Sequence, residues 1–221
     1  PLHWKRIRDE QKLKIETIHK HKEGYLYEVE VTNNYIEFDG QEYSCSLVRD
    51  LRKRNLEEQI LRTISEHTSG LTGDDYFHEL TKHITATLNV QYALVTECSN
   101  AEKTRVRTLS YVDRQQLCEN VEYDLAGTPC GIIMKGNDFF QPENVYKNFP
   151  REAGIESYVG VPIYSCTTGE VLGHIAGFDR KPMTSIQNQT AILKIFAARA
   201  GAEIERIVAQ KKLEQANAEL K

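Results

Sequence analysis

Residues 12–50 alternate. Leu13, Ile15 and Thr17 interleave with Lys12, Lys14 and Glu16. After a turn at Lys22-Glu23-Gly24, the residues Tyr25, Tyr27, Val29 and Val31 interleave with Leu26, Glu28, Glu30 and Thr32. A period of two predicts strands, with Glu28, Glu30 and Thr32 on the wetter face. Asp39-Gly40 separates two alternating runs and predicts a hairpin, because glycine accepts positive φ at little cost. The third strand, 41–48, ends at Arg49-Asp50. Three antiparallel strands need more cover than about 50 residues supply, so this half reads as incomplete.

The period then changes. Leu56, Ile60 and Ile64 share one face of a helix over 51–68. Gly70 and Gly73 break the run, and Asp74 or Asp75 can cap a second helix with Phe77, Leu80, Ile84 and Leu88 on its apolar face. Strands are predicted at 92–98 and 104–112. A hairpin is predicted from 158–164 and 171–178 around Thr167-Thr168-Gly169, and the stretch 127–150 between them is irregular. From Ile186 to Lys221 helix formers dominate. Leu193, Phe196, Ala200, Ile204 and Ile207 recur at spacings of three and four, while Leu213 and Leu220 stand where little globular cover is expected. That tail predicts a helix in need of a partner.

Composition narrows the classes. Of 221 residues 40% are hydrophobic and 27% charged, which supports a buried core and excludes wholesale disorder. The net charge of −4, with both signs mixed along the chain, gives no footprint for nucleic acid. No apolar stretch approaches the roughly 20 residues of a membrane helix, and residues 1–14 are too rich in charge for a secretory signal. Five cysteines, at 45, 98, 118, 130 and 166, contain no C-x-x-C pair, so free thiols in a reducing, cytoplasmic compartment are expected. The chain opens in mid-pattern at Pro1 and closes on a charged helical run, as a piece of something longer would.

Two resemblances follow from particular stretches. Trp4, His19 to Tyr25, Glu28-Val29-Glu30-Val31, and Tyr43 through Val48-Arg49-Asp50-Leu51-Arg52-Lys53-Arg54 resemble the C-terminal half of a PAS domain. Tyr123 through Gly127-Thr128-Pro129-Cys130, Glu156-Ser157-Tyr158-Val159-Gly160-Val161-Pro162-Ile163, and Gly173 to Asp179 resemble the GAF domains of bacterial sensor proteins. The GAF resemblance implies an antiparallel sheet flanked by helices, a small-molecule pocket on one face, and a regulatory role in a larger protein, usually a histidine kinase of a two-component system or a diguanylate cyclase. The expected fold class is α+β. The expected organisation is the C-terminal part of a PAS domain at 1–50, a connecting helix at 51–68, a GAF domain at 69–205 and the start of an output-coupling helix at 206–221.

Candidate chemistry is sparse. The stretch from Phe77-His78-Glu79 to Lys82 superficially resembles a histidine-kinase phospho-acceptor box, but Lys82-His83 stands where proline belongs and no ATP-binding glycine boxes follow; it reads as an amphipathic helix. His78 and His83 are five apart, which turns them away from shared metal ligation. Cys130, just after Gly127-Thr128-Pro129, invites three readings: a chromophore-bearing thiol like that of phytochrome GAF domains, a redox- or ligand-sensing thiolate near a helix start, or a buried packing residue. The phytochrome pattern commonly has histidine next, where Gly131 stands here. Cys98, Cys118 and Cys130 could also be cast as the thiols of a free methionine sulfoxide reductase-like GAF protein, although their surroundings do not match that motif.

The irregular segment carries Phe139, Phe140, Tyr146 and Phe149, either as pocket walls or as rings that pin a loop. The expected ligand site lies between this segment and the strand 158–164. Thr128, Cys130, Tyr146, Phe149, Tyr158 and Gly160 line it, Gly160 leaves room for the ligand, and Asp138 and Lys147 are polar contacts. No catalytic or metal residues are assigned, and no cofactor is specified. The chain is expected to be a non-enzymatic sensor of a small molecule or redox state. It would dimerise through its flanking helices and act on an output domain in the same chain. A thiol enzyme and a ligand-free dimerisation module are the alternatives.

Overall fold

The computed structural model describes residues 2–183 and 189–219. The chain divides into two compact units, Pro1–Gln59 and Ile60–Lys221. The first holds helix α1 (Leu2–Glu10) and three antiparallel strands, β1 (Lys12–Lys20), β2 (Leu26–Phe38) and β3 (Gln41–Asp50), in that spatial order. The alternation in 12–50 forms the expected strands, and Asp39 and Gly40 turn the hairpin with φ of 52° and 68°. Leu13, Val29 and Val31 are buried with Ile7 of α1, a helix the alternation did not announce. Glu30 departs from expectation: it is buried on the supposedly wet face, where Lys14 Nζ lies 2.7 Å from its carboxylate and holds its pKa down. At the end of β3, Arg52 forks onto the Asp50 carboxylate, donates to the Tyr25 hydroxyl at 3.1 Å and lies 4.8 Å from the Tyr27 ring centre. The Asp50-Leu51-Arg52 stretch thereby clamps the strand end to the neighbouring turn.

Helix α2 (Arg52–Thr68) buries Ile60 and Ile64. The second unit continues with α3 (Gly73–Leu88), β4 (Tyr92–Cys98), β5 (Arg105–Asp113), β6 (Gln116–Leu117) and β7 (Glu122–Asp124). Then come α4 (Cys130–Ile133), β8 (Phe139–Gln141), α5 (Val145–Asn148), β9 (Ser157–Tyr164), β10 (Val171–Asp179) and α6 (Gln189–Glu219). The seven-stranded antiparallel sheet runs β6-β5-β4-β10-β9-β8, with β7 also on β5. This is the mixed helix and antiparallel-sheet architecture that the sequence predicted. The predicted start of the last helix at Ile186 lies outside the described residues, as does Leu220.

Helices α3 and α6 cover one face of this sheet. Phe77, Leu80, Ile84 and Leu88 are all buried, as their spacing required. The N-cap of α3 is Thr72, whereas Asp74 and Asp75 lie inside its first turn. The Gly73 N–H donates to the Glu203 carboxylate of α6 at 2.8 Å. Gly201 has a specific use, because a Cβ there would stand 2.6 Å from the Tyr164 carbonyl oxygen. The helix therefore approaches β9 more closely than alanine permits.

The opposite face carries Tyr92, Leu94, Ala176, Phe178 and Tyr158, packed against Leu125, Cys130, Ile133, Met134, Val145 and Ile155. The long connection 118–156 thus forms a second layer over the sheet, and the candidate site lies between the two.

Candidate functional site

Three strands place one aromatic row. Phe178 of β10 pairs with Tyr92 of β4 on one side and with Tyr158 of β9 on the other. The ring centres are 5.2 Å and 5.4 Å apart, with interplanar angles of 18° and 7°. Nearly parallel rings this close cannot lie side by side in one plane, so they overlap in offset stacks. Tyr111 of β5 extends the stack, 6.4 Å from Tyr92. Beyond Tyr158, Phe139 meets it edge to face at 5.8 Å, and Phe149 meets Phe139 likewise at 5.5 Å. Phe139 and Phe149 therefore pin the connecting segment to the sheet.

Above the row is a hollow of about 360 Å³. Its apolar wall includes Leu94, Val121, Ala153 and Ile155, and its polar wall includes Tyr111, Tyr123, Tyr158, Thr128, Cys130, Arg151, Glu152 and Arg180. The thiol of Cys130, at the start of α4, lies 3.1 Å from the Tyr158 hydroxyl and 3.5 Å from that of Tyr123. Burial pushes this thiol up, against the effect of the two phenols. Burial also pushes up both phenols, and Tyr111 to about 12. A helix-start thiolate is not what the fold makes here: the thiol is held neutral, the reverse of what a nucleophile needs. All five cysteines are free thiols, with Cys45 and Cys166 exposed.

Glu152 is the acidic side chain of the wall, and burial raises its pKa against the opposing charge of Arg151. Arg151 is oriented by the backbone, donating through Nη1 to the carbonyls of Ala126 at 2.6 Å and Asp124 at 3.4 Å. Arg180 lies 5.9 Å from the Tyr92 ring centre. The Thr128 hydroxyl is already spent on the Leu125 carbonyl, 2.8 Å away.

The structure gathers only part of the expected site. Thr128, Cys130 and Tyr158 line the hollow. Phe149 instead lines a neighbouring depression of about 680 Å³, walled by Lys103, Ala126, Ile132 and Lys135 among others. Tyr146 is exposed and lines neither. The room expected beside Gly160 is filled: a Cβ there would meet Ile133 Cδ1 at 2.4 Å and the Ile175 carbonyl at 3.1 Å. Asp138 is taken by Lys194 at 2.6 Å, and Lys147 lies near the exposed Tyr146 ring. Arg151, Glu152, Arg180, Tyr92, Tyr111, Tyr123 and Phe178 were not foreseen. The pairing of alternate positions on 92–98 and 171–178 was the available signal for Tyr92 and Phe178.

A second buried polar group lies deeper on β10. His174 is fully buried. Its backbone N–H donates to Thr96 Oγ1 at 3.1 Å, and its Nδ1 lies 2.7 Å from the same hydroxyl. Its Nε2 has no partner among the described residues, and burial lowers its pKa to about 3. Both strands shift register here, between Val95 and Thr96 and between Val171 and Gly173. The hydroxyl takes over a partner that the irregular ladder leaves out. Among the described residues, no group of three His, Cys, Asp or Glu side chains could hold a metal ion, and no helix is long and apolar enough to cross a membrane.

The GAF domain family model matches residues 57–204. No curated protein matches the sequence. Among solved structures, the GAF domain of an Acinetobacter phosphoenolpyruvate-protein phosphotransferase aligns with a TM-score of 0.56 at 13% identity, covering 72% of this chain and 98% of that one. The A. aeolicus NLH2 GAF domain in an inactive state aligns with a TM-score of 0.55 at 16% identity, covering 70% and 98%. The chromophore-binding domain of an unusual bacteriophytochrome from R. palustris aligns with a TM-score of 0.52 at 9% identity, covering 87% and 75%. At these identities the likeness is one of fold.

Proposed function

This chain belongs to the GAF domain family, and from that premise we propose that it is the sensory part of a multidomain bacterial signalling protein of the cytoplasm. A small molecule bound in the hollow above Tyr158 and Phe178 is the signal. The observation that carries this reading is the preformed, partly polar hollow of about 360 Å³ between the sheet and the segment 118–156. Its volume is in the range of ligand sites, which start at about 300 Å³. The neutral, buried state of Cys130 favours a binding role for the hollow over thiol catalysis.

The proposal extends to both ends of the chain. Residues 1–50 are the C-terminal part of a PAS domain, a reading supported by the three-stranded meander and the Asp50–Arg52 clamp at its end. Helix α2 connects, and residues 206–221 begin a helix that couples to an output domain, a histidine kinase or a diguanylate cyclase. Leu213 is exposed on α6, and a homodimer through the flanking helices would cover it. Ligand binding would shift the population between two packings of these helices, to the extent that the ligand prefers one of them.

Native mass spectrometry of the whole purified chain tests the reading in one measurement. A dimer carrying a small-molecule adduct is expected. A monomer of bare protein mass, unchanged at high concentration and after exposure to a cell extract, would contradict it.

A further inference from the structure

The polar wall of the hollow is rich in donors. The guanidinium groups of Arg151 and Arg180 keep their charge at any physiological pH. Arg151 spends only Nη1 on the backbone, and Arg180 makes no hydrogen bond or ion pair among the described residues. The hydroxyls of Tyr111, Tyr123 and Tyr158 sit where burial keeps them protonated. Glu152 is the one acidic side chain of this wall, and burial raises its pKa. In a chain of net charge −4, this hollow is lined by two arginines against one glutamate.

We infer that the ligand of this hollow is a small organic anion, a carboxylate or a phosphate, held by Arg151 and Arg180 above the Tyr158–Phe178–Tyr92 row. The inference rests on the reading of the hollow as the ligand site and goes beyond it by fixing the ligand's chemistry. Both guanidinium groups are exposed at the rim of the hollow and keep N–H donors without intramolecular partners among the described residues, which a charged acceptor satisfies better than a neutral one. An anion supplies acceptors to both. Phosphate and carboxylate share this chemistry, so the probes must separate them.

The experiment uses a fragment library of matched triplets, each an organic scaffold carried as carboxylate, phosphate monoester and primary amide. Ligand-observed NMR on the whole chain reads binding, and competition within triplets ranks it. Anionic members are expected to bind at least tenfold more tightly than their amides, and which of the two anions leads identifies the source chemistry. The variant Arg180→Gln, at an exposed position without ion pairs among the described residues, should remain folded by circular dichroism and lose that preference. Amides that bind as tightly as the anions, and compete with one another for the hollow, would overturn the inference while leaving the ligand-site reading intact. Anion binding that Arg180→Gln leaves unchanged would also overturn it. A library without a single binder, neutral or charged, would sink both.

Discussion

The Sγ of Cys130 lies 3.1 Å from the hydroxyl of Tyr158, joining the first residue of α4 to the middle of the sheet across the layer that holds the hollow. The contact couples a short helix in a long connection to the aromatic row. Cys130 is the one buried thiol of the five.

Thiol labelling of the folded chain should therefore follow exposure. Cys45 and Cys166 should react with a disulfide reagent first, and Cys130 last, on the timescale of opening of the second unit. Tyr158→Phe removes a hydroxyl that favours the thiolate and should slow Cys130 further. Labelling of Cys130 as fast as Cys166 would show that the layer over the sheet is not closed as described.

Two glycines on the sheet separate filled space from free space. A Cβ at Gly173 would lie 1.9 Å from the Thr96 carbonyl oxygen, a backbone atom that cannot swing aside. Gly173→Ala should cost at least about 3 kcal/mol. At Gly160 the obstacle is the tip of the Ile133 side chain, which can move. Gly160→Ala should cost about 1–3 kcal/mol, and Ile133→Val should relieve part of that cost in a double-mutant cycle. Urea unfolding of the parent, Gly173→Ala, Gly160→Ala, Ile133→Val and the Gly160→Ala/Ile133→Val pair checks both. A neutral Gly160→Ala would mean the space there is open after all.

His174 gives the fold an acid sensitivity of definite sign. Its pKa is lowered from the ordinary 6.5 to about 3 by burial. The unfolded chain therefore binds this proton first as pH falls. The contribution is fully present above about pH 6.5 and is lost progressively down to about 3. From this group alone, stability at pH 5 should be about 2 kcal/mol lower than at pH 7. The pH dependence of the urea midpoint, compared between the parent and His174→Asn, reads the difference. An equal slope in the two would remove His174 as the cause.

Much of the second unit was legible because its strands are bounded by turn residues. The apolar spacing in α3 and α6 was equally unambiguous, down to Phe77, Leu80 and Ile84. Glu30 was misplaced because alternation cannot show that Lys14, on the neighbouring strand, supplies a counter-charge. Helix α1 was missed although Ile7 on it is almost fully buried. The candidate site was legible only where a motif marked it, at Thr128, Cys130 and Tyr158. Arg151 follows α5 and Arg180 follows β10, and only the sheet topology brings them to one hollow. No local periodicity carries that information. Gly160 shows the converse: a missing side chain reads the same in sequence whether a ligand or Ile133 fills the place.

Filling the hollow is the most direct test of whether it receives a ligand. Ala153 is an exposed residue on its apolar wall, so Ala153→Trp can occupy the space without disturbing the core beneath. Thermal melting of the parent and variant is measured with and without a small-molecule extract of the expressing cells. A site-specific ligand should raise the melting temperature of the parent by ~4 °C or more and leave Ala153→Trp unmoved. An equal rise in both proteins, or none in the parent, would contradict a ligand site above Tyr158 and Phe178.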